Sequence, residues 1–179
     1  MKTVLFVLRL ALTLLAITAV VAVALAGVNM ITAPAIAELN AQNTQAAIEA
    51  VLPGGGEQLS EIPAVDLVSK VYASETGYAI EVTPGGFDNT ITMMVGVDTE
   101  GKVLGISIIK HTETAGLGAV AAAGTPAGEA FRGQFVGMSG SVAVSKDGGE
   151  VNAITGATIT SRAVCAGVNA ALEVVGKMG

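Results

Sequence analysis

The chain is poor in the residues that do most side-chain chemistry. It has one cysteine, Cys165, one histidine, His111, no tryptophan, and 3% aromatic residues. A single cysteine excludes a disulfide framework and any zinc site built on cysteine pairs. A single histidine excludes a bis-histidine haem or a histidine-clustered metal held by this chain alone, and no metal site is expected. Charged residues make up 13%, about half the ordinary ~25%, so the chain is not a charge-solvated disordered segment. The formal net charge is −6. Holding nucleic-acid phosphates requires the opposite sign, and no nucleic-acid partner is expected. No internal repeat stands out in the 179 residues, which suffice for one domain and an appendage.

What is abundant is apolar: 51% of the residues are hydrophobic, unevenly placed. Residues 10–31 carry no charge, and the stretch before them is broken only by Arg9. At 1.5 Å per residue this run reaches about 33 Å, enough for a bilayer core of ~30 Å. A cleaved signal peptide is the alternative reading, with Ala24, Leu25 and Ala26 offering small residues to a peptidase. The run exceeds the usual 7–15-residue signal core and flows into a helical pattern, which favours an uncleaved anchor over residues 1–32. Lys2 and Arg9 precede the span, and all fifteen acidic residues follow it. The positive-inside rule then puts the N-terminus in the cytoplasm and the remainder on the outer face of the membrane.

Residues 33–56 read as a stalk helix and a turn. Pro34 suits a first helical turn. Ile36, Leu39, Ala46, Ala47, Ala50 and Val51 fall on one face, and Pro53 with Gly54, Gly55 and Gly56 ends the helix. Residues 57–179 form the exported domain. Runs at 64–72, 77–83, 90–98 (TITMMVGVD) and 102–110 (KVLGISIIK) read as strands. The last two are joined by Thr99, Glu100 and Gly101 in a hairpin. Residues 124–140 read as irregular with a short helix around Phe131, and 141–146 as one more strand. A helix over 161–175 carries an apolar stripe of Val164, Val168, Ala171, Leu172 and Val175. The pattern predicts an α+β domain with a mainly antiparallel sheet and flanking helices.

Three segments offer chemistry. Residues 152–161 (NAITGATITS) place hydroxyls around Gly156 just before a helix. Thr160 or Ser161 can cap that helix, which would make the motif only a cap. Equally, free N–H groups and the positive end of the helix dipole suit a phosphate. The GxxxxGK[ST] and GxGxxG spacings are both missing. Residues 110–118 (KHTETAGLG) follow the best strand; Gly116 and Gly118 admit close backbone approach, Glu113 and Thr114 supply polar groups, and Leu117 an apolar surface. His111 reads more readily as a surface residue than as a ligand contact. The third segment, Pro84, Gly85, Gly86 and Phe87, reads as a turn before a strand. Cys165 falls in the apolar half of the last helix and reads as packed core.

The order of these pieces resembles the flavin-binding G subunit of the Rnf electron-transport complex. It also resembles the related C subunit of the sodium-pumping NADH:quinone reductase. The signature of these families is similar to D-x-x-[ST]-G-A-T-x-[ST], and here it reads from Asn152 to Thr160. Their ETPGLG loop matches Glu113, Thr114, Ala115, Gly116, Leu117 and Gly118. The anchor, a stalk ending in VLPG and the MVGVDTEGKVLGISIIKHTET hairpin complete the likeness. The resemblance implies FMN carried on Thr158 through a phosphoester and attached by a separate, metal-dependent flavin transferase. It implies Thr155, Gly156, Ala157, Thr160 and Ser161 around the phosphate, and Glu113, Thr114, Leu117 and Gly118 along the ring or ribityl chain. It further implies electron carriage without catalytic side chains, within a membrane-bound, ion-translocating ferredoxin:NAD oxidoreductase whose other subunits are the partners. The TGATITS run followed by Arg162 looks more like the Rnf protein than its quinone-reductase relative. Another exported reductase, a non-redox anchored module, or an enzyme using Cys165 and His111 are the competing readings. Asn152 in place of Asp and Ala115 in place of Pro depart from the pattern, and neither touches the acceptor hydroxyl.

Overall fold

The computed structural model describes residues 2–178. Its first element is a helix, α1 (Lys2–Val51), that runs through both the apolar stretch and the stalk. Pro34 lies inside it rather than opening a new helix. The chain separates into two compact units, one ending at Gln42 and one starting at Asn43.

In the first unit the apolar side chains from Val4 to Leu39 are all exposed. A helix that is apolar all round requires a non-aqueous surrounding. α1 is long and apolar enough to cross a membrane. Its threonines fit such a medium: Thr13, Thr18 and Thr32 donate their hydroxyls to the carbonyls of Arg9, Leu14 and Val28, one turn back.

The second unit is an α+β domain. Its sheet is an antiparallel meander of five strands in chain order: β1 (Glu57–Gln58), β2 (Val68–Ser74), β3 (Gly77–Val82), β4 (Thr92–Asp98) and β5 (Val103–Lys110). The β4–β5 turn forms where the hairpin signal places it. Asp98 Oδ1 accepts from the N–H groups of Glu100 (2.9 Å) and Lys102 (2.8 Å), and Gly101 takes φ +79°. β1 carries no apolar pattern, and nothing in the sequence predicts it.

Alternation along the central strands sends side chains to two buried faces. Ile80, Val82, Met93, Val95 and Val97 pack with Val164, Val168, Ala171 and Val175 of α3 (Thr158–Met178). Ala79 and Met94 face the other way and pack with Ala47, Ile48, Val51 and Leu52 from the last turns of α1 and the residue after it. The covered face keeps Ala47 and Val51 of the expected stripe and adds Ile48 and Leu52. Ile36, Leu39, Ala46 and Ala50 do not share a buried stripe with it: Ile36, Leu39 and Ala50 are exposed, while Ile48 and Leu52 are buried. Gly96 makes the approach possible, since a Cβ there would fall on the Val51 carbonyl.

α2 (Pro126–Gly133) matches the helix expected around Phe131. Thr125 caps it, accepting from Gly128 N–H at 3.4 Å, and Pro126 opens it. Phe131 meets Phe135 edge to face, with ring centroids 5.5 Å apart. The strand expected over 141–146 is absent. Val144 makes a single parallel bridge to Val151, and residues 145–147 form one 3-10 turn. The turn is closed by Gly148 at φ +86°. Its polar tip, Ser145, Lys146 and Asp147, is exposed, which a strand buried on one face would not permit.

Candidate functional site

Three segments distant in sequence converge beside the N-terminus of α3. They are the Gly86–Phe87 turn ahead of β4, the loop after β5 around Glu113–Gly118, and residues 156–160. Together with Lys146 they line a cleft of about 300 Å³. Phe87, Leu117 and Ile159 present apolar surface at its walls, and all three are exposed.

Glu113 ties the segments together. It is buried, and its Oε1 accepts from the Phe87 N–H at 2.8 Å. Its Oε2 accepts from the Thr160 hydroxyl. The surroundings are glycine by necessity: a Cβ on Gly86 would fall on Glu113 Oε1, and one on Gly118 on Glu113 Oε2 and Thr160 Oγ1. A buried carboxylate with two donors is stable where an unpaired one is not.

The helix begins earlier than the sequence pattern indicates, at Thr158 rather than Ser161. Thr160 and Ser161 therefore lie inside its first turn and cap nothing from outside. Thr160 turns sideways to Glu113. Ser161, fully buried, accepts from Ile154 N–H (3.0 Å) and donates to Ala157 C=O (2.9 Å), closing the 154–157 turn. The residue preceding the helix is Ala157, which has no side-chain oxygen to cap it. No acidic residue stands in the first turn. Among the described residues no side chain accepts from the N–H groups of Thr158, Ile159 or Thr160, and these residues line the cleft, an arrangement that suits an anion.

Thr158 is half-buried at that end, and Lys146 Nζ lies 3.4 Å from its hydroxyl. Gly156 permits the turn with φ +77°, beside Leu117. The structure thus gathers Glu113, Thr114, Leu117, Gly118, Gly156, Ala157, Thr158 and Thr160 at one cleft. It does not bring two of the expected phosphate residues there. Thr155 lines a neighbouring depression with Gly116, Asn152 and Ile154, and Ser161 is enclosed beneath the turn. Phe87, from the segment read as a turn, Ile159, at an unspecified position of the signature, and Lys146, outside every motif, also line the cleft. Lys146 falls twelve residues before Thr158 in a segment that reads as a strand, and only the fold reveals its proximity.

Other candidates fall away from the cleft. Asn152 has an exposed side chain, and its backbone is held by Gln134 through bonds of 2.8 and 3.2 Å. His111, expected at the surface, is half-buried and keeps Nδ1 buried without a hydrogen-bond partner among the described residues. Cys165 is core, as expected. Burial, and next Asp147, push its thiol up to about 11, so it is neither a nucleophile nor a thiolate ligand at neutral pH.

The domain is an antiparallel α+β fold with a threonine at the start of α3 lining an apolar-walled cleft. Residues 86–173 match the FMN-binding domain. The full chain is 33% identical to the G subunit of the Na+-translocating ferredoxin:NAD+ oxidoreductase complex of Acetobacterium woodii, over 94% of this chain and 91% of that one. It is 30% identical to the G subunit of the ion-translocating oxidoreductase complex of Stutzerimonas stutzeri, over 91% of this chain and 78% of the relative. The G subunit of the proton-translocating ferredoxin:NAD+ oxidoreductase complex of Clostridium ljungdahlii is 39% identical over 58% of each chain. The chain belongs to the family of Rnf-complex G subunits.

Proposed function

We propose that the chain is the electron-carrying flavoprotein subunit of a membrane-bound, Rnf-type ion-translocating oxidoreductase, with FMN held through a phosphoester on Thr158. The observation that carries this reading is the Thr158 hydroxyl at the uncapped start of α3, opening into the cleft of Phe87, Leu117 and Ile159. The residues fit the group. A phosphate suits the free N–H groups of the first turn, and an apolar ring suits the three exposed hydrophobic side chains.

Bound FMN supplies the one- and two-electron chemistry, while the protein sets its orientation and exposure. Glu113 fixes the two loops against α3 and so sets the width of the cleft. Leu117 and Ile159 line the same cleft as Thr158 and offer apolar surface to a ring held there. A threonine hydroxyl needs activation to act as a nucleophile. The one side chain that hydrogen-bonds it among the described residues, Lys146, is a donor when charged and cannot take its proton. Attachment therefore falls to a separate flavin transferase.

α1 serves as the membrane anchor, with the N-terminus cytoplasmic and the flavin domain on the outer face of the inner membrane. The other membrane and peripheral subunits are the partners. Reduced ferredoxin and NAD exchange electrons at those subunits. One relative is named for sodium and another for protons, and a single span without charge over residues 10–31 offers no ion path of its own.

The test is full-length chain co-expressed with a flavin transferase and then denatured in acid. Yellow colour and flavin fluorescence that stay with the polypeptide support the covalent reading; colour released into the supernatant contradicts it. Protease added outside spheroplasts should remove the domain and spare the N-terminal segment. Protection of the domain overturns the orientation.

A further inference from the structure

Lys146 belongs to no part of the motif, yet it is the one cationic side chain lining the cleft among the described residues. Its placement is built from two sides. On one side, the 3-10 turn is stitched to the segment before the site: Ser145 N–H donates to Val151 C=O at 2.8 Å, and Val151 N–H to Ala143 C=O at 3.1 Å. Gly149 allows this closeness, since a Cβ there would fall on the Ala143 carbonyl. From the helix side, Arg162 grips Asp147 with two bonds of 2.7 Å, from Nε to Oδ2 and from Nη2 to Oδ1. Such a fork fixes direction as well as distance. Arg162 is one helical turn beyond Thr158, so the clamp seats the turn over the start of α3 and leaves Lys146 beside the acceptor hydroxyl.

We propose that Lys146 is a phosphate-recognising residue of the flavin site, and that the Asp147–Arg162 pair is the positioning device that holds it there. This rests on the reading of Thr158 as the attachment point. A phosphate bonded to Thr158 Oγ1 is by connectivity within reach of an ammonium already 3.4 Å from that oxygen. Arg162 cannot serve in its place, because its guanidinium is committed to Asp147. Lys146 therefore selects the phosphorylated flavin over its dephosphorylated form, before attachment and independently of it.

The test uses the full unmodified chain, titrated with FMN and with riboflavin by quenching of flavin fluorescence. The unmodified chain should favour FMN, with a preference that weakens as salt rises. Lys146→Gln should lower the FMN preference about fivefold, the scale of one partly screened ion pair, while Lys146→Arg retains it. Asp147→Asn should lower it as Lys146→Gln does, with both variants folded by circular dichroism. Exchanging the clamp charges, Asp147→Arg with Arg162→Asp, should restore it. Equal affinity for the two flavins in the unmodified chain, or a preference that survives Lys146→Gln, overturns the proposal. Failure of the covalent reading is seen separately, as an unchanged mass after transferase treatment.

Discussion

Glu113 and Thr160 meet across 47 positions of sequence, and that contact sets what each residue of the site does. Thr160→Val keeps the shape of the side chain and removes the hydroxyl. The buried carboxylate then keeps only the Phe87 N–H, and the domain should lose about 1–3 kcal/mol, measured by denaturant unfolding. A loss of a few tenths would mean that Thr160 does no more than occupy space. Thr158→Ala should behave in the opposite way. The residue is half-buried and its hydroxyl has one hydrogen-bond partner among the described residues, Lys146, so the variant should fold as the parent does and take up no covalent flavin. Unfolding of that variant by circular dichroism would contradict the division of roles. The residue motifs are legible in the sequence: Gly156, Ala157 and Thr158 of TGAT meet Glu113, Thr114, Leu117 and Gly118 of the ETAGLG loop at one cleft, while Thr155 and Gly116 line the depression beside it. What the sequence does not disclose is how they meet. A threonine just before an apolar stripe reads as a cap, and only the packing shows Thr160 inside the first turn, turned toward a carboxylate.

At the scale of elements, the central strands and the last helix follow from period-2 and period-3.6 patterns. β4 shows why those patterns suffice: Met93, Val95 and Val97 alternate with Met94 and Gly96, and both sets are covered. Gly96 is a tight point, and Gly96→Ala should destabilise the domain by about 1–3 kcal/mol through overpacking against Val51, read from thermal unfolding. The 141–147 segment is not legible, because its valines alternate as a strand would while its polar tip is bound to a helix residue far along the chain. The Arg162 guanidinium, through its hydrogen bonds, lowers the Asp147 carboxyl below the ordinary aspartate value, and Asp147 raises Arg162 in return. A carboxyl lowered in the folded state stabilises above its unfolded value and loses that contribution as pH falls through the lowered one. Asp147→Asn should therefore melt below the parent near neutral pH, and the difference should vanish as pH falls through the lowered value of the carboxyl. A gap that persists in strong acid would show that the clamp acts by some means other than charge.

For the whole molecule, the apolar run and the domain obey different solvents, and composition already separates them. Residues 10–31 carry no charge, whereas the domain keeps most of its acidic residues at its surface and buries branched aliphatics on two sides of one sheet. The stalk's inward face is harder to read. Near a helix end, alanines on several faces make the stripe ambiguous, and the covering partners, Ala79 and Met94, come from mid-strand positions that no local pattern reveals. The central claim is that this domain carries FMN on one threonine, and the most direct test is intact mass followed by peptide mapping of the full chain after treatment with a flavin transferase. The account predicts a gain equal to FMN minus water, located on Thr158 and absent from Thr158→Ala. An unmodified chain, with the transferase active on a control substrate, or flavin on another residue, would contradict it.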